Sequence, residues 1–190
     1  MAHEALKELG NPFQLGLGGW ILGTADDPAV FDDVLPAKAP FFSLWDQADG
    51  FEELSDERIK WPATWLEEDW GLIQPQLELH RIYDDISAAL NKNCHGMIAK
   101  HWRTRVLGGN TASMKSLLWA YGKTGEALNK EITISKQDWI DKFYLDWSKK
   151  NFGPEAAPAI ANIFAYLDKA GEPGNPGAIP QVSGWDSELD

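Results

Sequence analysis

The chain has 190 residues, 44% of them hydrophobic, which suits one domain around one core and excludes a disordered acidic tail. Its formal net charge of -12 argues against a nucleic-acid partner, because phosphates reward Lys and Arg. A single cysteine, Cys94, rules out an internal disulfide and a zinc-finger site, and no run approaches the roughly 18 apolar residues of a membrane span.

The opening stretch MAHEALKELGNPF is amphipathic. It lacks the basic and apolar regions of a signal peptide and reads like the tail of a helix belonging to something upstream, so the compartment is not legible here. Residues 13–23 (FQLGLGGWILG) form a short apolar run broken by four glycines, which suits a buried strand with a close backbone approach. TADDPAVFDDVLP follows as a loop with one helical turn, where Asp27 is placed to cap at Pro28. Residues 39–46 (APFFSLWD) are a second buried strand, and QADGFEELSDER is a polar loop. Residues 58–69 (RIKWPATWLEED) are a third strand candidate, with Pro62 as a mark against it.

The clearest helix starts near Pro75, repeats Leu79, Ile82, Tyr83, Ile86, Ala89 and Leu90 at helical spacing, and stops at residues 91–93. Cys94 is expected as a buried spacer before a fourth strand at 95–103 (HGMIAKHWR). A helix over 111–121 takes Asn110 or Thr111 as its cap. Ser135 and Asp138 open a further helix in the manner of a capping box, with Ile140, Phe143, Tyr144 and Trp147 facing a core. A last helix, 155–169, carries Ile160, Ile163, Phe164 and Leu167 on one side. The rest is a Pro/Gly-rich tail. Strands alternating with loop or helical crossovers indicate an α/β fold with a parallel sheet. Neither a GxGxxG after a strand nor a P-loop is present, and no cofactor is expected.

Chemistry is expected where the strands turn polar. The second ends in Trp45-Asp46, the third in Trp65-Leu66-Glu67-Glu68-Asp69-Trp70, and the fourth in His101-Trp102-Arg103-Thr104-Arg105. Of the ten tryptophans, Trp45, Trp61, Trp65, Trp70 and Trp102 lie in or beside these segments; Trp119, Trp139 and Trp147 are expected in the core. Aromatic rings stack on the apolar faces of sugars while Asp, Glu, His and Arg take the hydroxyls, so this composition fits a carbohydrate pocket. Period-two alternation puts Trp61, Ala63, Trp65 and Glu67 on one face with Glu68 opposite, unless the pleat breaks at Pro62, and puts His101, Arg103 and Arg105 together. The catalytic candidates are Glu67, Glu68 and Asp46. Trp45, Trp65, Asp69, Trp70, His101, Trp102, Arg103 and Arg105 are the substrate-binding candidates. Arg103 and Arg105 suit an anionic sugar or pair with nearby acids. His3, His80 and His95 read as structural or exposed, and the His80–Asp84 spacing is too little for a metal.

WPATWLEEDWG, a helix and then GMIAKHWRTR resemble the last two β/α units of a (β/α)8-barrel glycoside hydrolase. The helix-rich ending resembles the region after the barrel in large exo-acting polysaccharide-degrading enzymes. The likeness covers most of the chain and rests on no single diagnostic motif. It implies a partial (β/α) barrel of about four parallel strands over 1–130, a helical extension over 131–171 packed on it, and a tail or linker over 172–190. It also implies that Glu67 or Glu68 takes the nucleophile position, that the acid/base strand lies upstream of Met1, and that the parent enzyme is periplasmic or secreted. The expected partners are a plant or algal poly- or oligosaccharide and either the missing barrel half or a second copy of the chain. The competing reading is a non-catalytic α/β module that binds sugar or protein.

Overall fold

The computed structural model describes residues 2–10, 15–24, 26–36, 38–43, 48–66, 77–101, 108–121 and 132–170. Helix α1 (Ala2–Glu8) precedes a sheet of four strands, β1 (Leu17–Gly19), β2 (Phe41–Ser43), β3 (Lys60–Trp65) and β4 (Ile98–Lys100). Helix α2 (Leu79–Asn91) joins β3 to β4, and α3 (Gly108–Tyr121), α4 (Lys136–Phe152) and α5 (Ala157–Ala170) follow. Every strand pair is parallel, and the strand order is β1-β2-β3-β4. The fold is therefore α/β, with the sequential winding of a partial barrel followed by C-terminal helices. Helix α2 packs on one face of that sheet, against β3.

Register sorts the two faces. Leu17, Phe41 and Lys60 are aligned, as are Gly18, Phe42 and Trp61, and Trp65 with Lys100. The helix face carries Phe41, Ser43 and Thr64, all fully buried, with the Thr64 hydroxyl donating to Asp85 of α2 at 2.5 Å. The opposite face carries Phe42, Trp61, Ala63, Trp65 and Lys100. Gly18 is needed there, since a Cβ on it would lie 1.8 Å from the Phe42 ring. Pro62 is tolerated because β3 changes partner beside it: Lys60 to Pro62 align with β2, and Ala63 to Trp65 with β4. A missing N–H costs least at such a hand-over.

Two apolar clusters form the core. One gathers Leu66, Leu79, Ile82, Ile86 and Leu90 with Met114, Leu117, Trp139, Ile140, Tyr144 and Ala161, so α2 to α5 share it. The other gathers Leu22, Phe41, Ala48, Phe51, Leu54, Ala89 and Cys94, and Met97 packs against both. Ala48, Phe51 and Leu54 correct the expected polar loop: a 3-10 turn over Phe51–Glu53 turns its apolar side chains inward between acidic neighbours.

Three further expectations are overturned. Trp119 is 83% exposed, because Met114 and Leu117 fix the inward side of α3 and two residues beyond Leu117 is about 200° around the helix. Asn110 lies inside α3 rather than at its cap. On α5 the expected face is split: Phe164 packs on the core with buried Ala157, Ala161 and Asp168, while Ile163 and Leu167 are exposed; the Tyr144 hydroxyl donates to Asp168 at 2.6 Å. The capping expectations at Ser135 and Asp27 hold. Ser135 Oγ accepts from Asp138 N at 3.1 Å, and Asp27 Oδ1 accepts from Ala29 N at 3.0 Å.

Candidate functional site

The two ends of the sheet use their charged residues differently. At the N-terminal end the charges hold structure. Arg58, 1% exposed, donates to Asp32 Oδ1 at 2.6 Å and to the carbonyls of Asp32, Leu35, Pro36 and Ala39, and its guanidinium lies 4.3 Å from the Phe41 ring centroid. It fastens the β1–β2 crossover to the sheet. Burial pushes the Asp32 carboxyl up, but hydrogen bonds from Ser55 and Arg58 and the Arg58 charge outweigh it and hold it below 3.8. Buried Lys60 donates from Nζ to Leu54 O at 3.2 Å, and Lys92 Nζ lies 3.0 Å from both Ala48 O and Glu52 Oε2. The Lys60 N–H points at His95 Nδ1, and burial followed by the Lys60 charge lowers the His95 pKa. His95 and Cys94 are thus structural, as expected.

The C-terminal end carries the aromatic residues. Trp20, just after β1, and Trp65, the last residue of β3, stack with ring centroids 6.1 Å apart and planes 24° apart. Lys100, the last residue of β4, holds its ammonium 3.6 Å from the Trp65 centroid and 5.5 Å from that of Trp20. Trp20 is 61% exposed and Trp61, lower on the same face, is 39% exposed. Ser43 Oγ donates to Trp20 O at 3.3 Å and ties Trp20 to β2. Leu66, where β3 leaves the sheet, is held twice: its N–H donates to Lys100 O at 2.9 Å, and its carbonyl accepts from Asn110 Nδ2 at 2.6 Å. Asn110 Oδ1 also accepts from Glu78 N at 3.3 Å, so this one buried amide joins the end of β3 to the starts of α2 and α3.

Of the sequence-derived site residues, Trp65 is half-buried in this stack, and His101 follows β4 and is exposed. Trp45 and Asp46, then Glu67, Glu68, Asp69 and Trp70, then Trp102, Arg103 and Arg105, lie outside the described residues. The strands that lead to the last two groups are neighbours, parallel and aligned at Trp65 and Lys100. No family model, curated protein or solved structure matches this chain. The site is accordingly read from its own chemistry.

Trp20 and Lys100 escaped the sequence reading of the site, and Asn110 was read only as a helix cap. Trp20 had a usable signal, for it follows an apolar run as Trp45 and Trp65 do. Lys100 stands one residue before HWR, and the alternation that aligns it with Trp65 needs the strand register. Asn110 had none, because its partners are 44 and 32 residues away. Elsewhere, a cavity of about 180 Å³ on α2 is lined by Tyr83, Ser87, Leu90, Asn91 and Ile132. Its described lining holds no carboxylate, the Ser87 hydroxyl donates to Tyr83 O at 2.8 Å, and burial raises the pKa of Tyr83. Among the described residues it offers no acid–base pair. Among the described residues no cluster of three or more His, Cys, Asp or Glu is placed to hold a metal ion, and no helix is long and apolar enough to cross a membrane.

Proposed function

We propose that this chain belongs to a glycoside hydrolase acting on a plant or algal poly- or oligosaccharide through paired carboxylates. The observation that carries the reading is the Trp20–Trp65 stack with Lys100, on the face opposite α2 at the C-terminal end of a sequentially wound parallel sheet. In barrels that end is where reactive groups gather. Exposed tryptophan faces beside a cation suit a sugar ring with its hydroxyls.

Asp46 follows β2 in the sequence and Glu67 follows β3. Those strands are adjacent, and adjacent strands run about 4.8 Å apart. Carboxyl separations of about 5–5.5 Å serve retention and about 6.5–9.5 Å inversion, and the hydrolase reading requires the two acids to meet one of these. One carboxylic acid would protonate the leaving oxygen while the other attacks the anomeric carbon or activates water.

The same aromatic face favours a second reading, a module that binds sugar without cleaving it. One experiment separates them. Wild type and the variants Glu67→Gln, Glu68→Gln and Asp46→Asn are assayed for release of reducing ends from plant and algal polysaccharides, with sugar binding measured in parallel. The hydrolase reading expects turnover by wild type, a fall of about 10²–10⁴-fold in kcat in at least one acidic variant, and retained binding. Binding without turnover by wild type supports the binding module. Turnover unaffected by all three substitutions overturns the assignment of the acids.

A further inference from the structure

We infer that Asn110 is a positioning residue: it ties the stretch after β3 and the stretch after β4 to one buried point, so that the candidate acids and the candidate basic residues rise from a common base. Its meaning for catalysis rests on the hydrolase reading; the tie itself does not.

The bonds form a closed circuit. Leu66 N–H donates to Lys100 O at 2.9 Å, and Leu66 O accepts from Asn110 Nδ2 at 2.6 Å. Lys100 and Asn110 bracket residues 101–109, and both are bonded to Leu66. Asn110 Oδ1 accepts from Glu78 N at 3.3 Å. Leu66 and Glu78 bracket residues 67–77, and both are bonded to Asn110. Each stretch is therefore held at its two ends, and both depend on the pair Leu66 and Asn110. In the sequence, Glu67, Glu68, Asp69 and Trp70 belong to the first stretch, and His101, Trp102, Arg103 and Arg105 to the second.

The circuit needs one short side chain that donates and accepts at once. A primary amide does so; at neutral pH an Asp carboxylate of the same shape only accepts. Helix α2 has no side-chain cap of its own at Glu78, so the amide serves there too. Leu66 and Asn110 are both buried, where a lost partner is costly to replace. A peptide bond is planar, so whatever holds the Leu66 carbonyl also sets the plane in which the chain leaves β3 toward Glu67. Misplacing a reacting group by about 1 Å costs on the order of 10²-fold in rate.

The test reads amide exchange and turnover on the full chain. In wild type the Glu78 N–H should exchange about tenfold or more below the unprotected rate, the order of one buried hydrogen bond. Unprotected exchange there overturns the proposal without any variant. Asn110→Ala and Asn110→Asp should raise exchange at Leu66 and Glu78 together by about tenfold, while Phe41, whose N–H donates to Ile59 O at 2.8 Å, keeps its rate. A rise at all three, or at one of the pair alone, overturns the tie. In Asn110→Asp the rise should fade as pH falls, because a protonated carboxyl regains a donor for Leu66 O. A rise independent of pH overturns the donor role. Where wild type cleaves polysaccharide, Asn110→Asp should lower kcat about 10–10²-fold with KM little changed, and recover toward wild type at acid pH. Unchanged kcat in the folded variant overturns the positioning role and leaves the hydrolase standing. Linked exchange in a wild type that cleaves nothing keeps the tie and loses the hydrolase.

Discussion

Cys94 has no exposed surface and packs with Phe41, Phe51 and Ala89. Burial pushes its thiol up to about 12, partly offset by Lys60 and Lys92. The thiolate is the reactive form, so native protein should resist thiol reagents and label only as fast as it unfolds. The pH dependence follows from the sign of the shift. Below the ordinary value of 9.0 the thiol is neutral in both states and the contribution is complete. Between 9 and about 12 only the unfolded chain ionises, and stability declines by up to about 1.4 kcal/mol per pH unit. Denaturant melts of wild type and Cys94→Ala across that window isolate the effect: the alanine variant should show the shallower decline, and identical slopes would exclude it. That Cys94 is inert was legible from its apolar surroundings in the sequence. That Lys60 stands near it was not, because Lys60 is 34 positions away.

At the scale of elements, the Arg58 side chain is the fastening between the first crossover and the sheet. Its guanidinium reaches four carbonyls and one carboxylate across 19 to 26 residues of chain. Arg58→Met leaves Asp32 and those carbonyls without their donor and should cost about 3–5 kcal/mol in chemical denaturation. Asp32 adds a pH signature. Its folded pKa lies below 3.8, so its contribution is complete above that value and is lost as pH falls through the lower, folded one. Asp32→Asn should flatten the acid limb of the stability curve below pH 3.8, and an unchanged limb would count against the pair. In the sequence Arg58 reads only as the polar start of a strand. Its role depends on a crossover folding back over it, which no local pattern encodes.

For the whole molecule, four parallel strands in sequential order leave β1 and β4 as the edges of the sheet among the described residues. Each is three residues long, which limits mispairing without removing the free backbone groups. Trp61 on the sheet face opposite α2 and Trp119 on α3 add exposed aromatic surface. We expect the chain to self-associate, with the average mass in sedimentation rising with concentration through the micromolar range. A single monomeric species that melts cooperatively over that range would refute this.

The α/β class, the four strand segments, four of the five described α-helices and the capping at Ser135 are legible along the chain, because each is written in residues close together. Alternation and three-to-four spacing report which residues share a face, and apolar runs between turn residues report where strands lie. Which face meets which is set by packing across the fold. The parallel order β1-β2-β3-β4, the partner change at Pro62, the outward turn of Trp119, the clamp of Asn110 on Leu66 and the meeting of Trp20, Trp65 and Lys100 all join residues far apart in the chain. Contacts of that kind form when packing selects one arrangement among many that satisfy the same local pattern, so the local pattern alone cannot contain them.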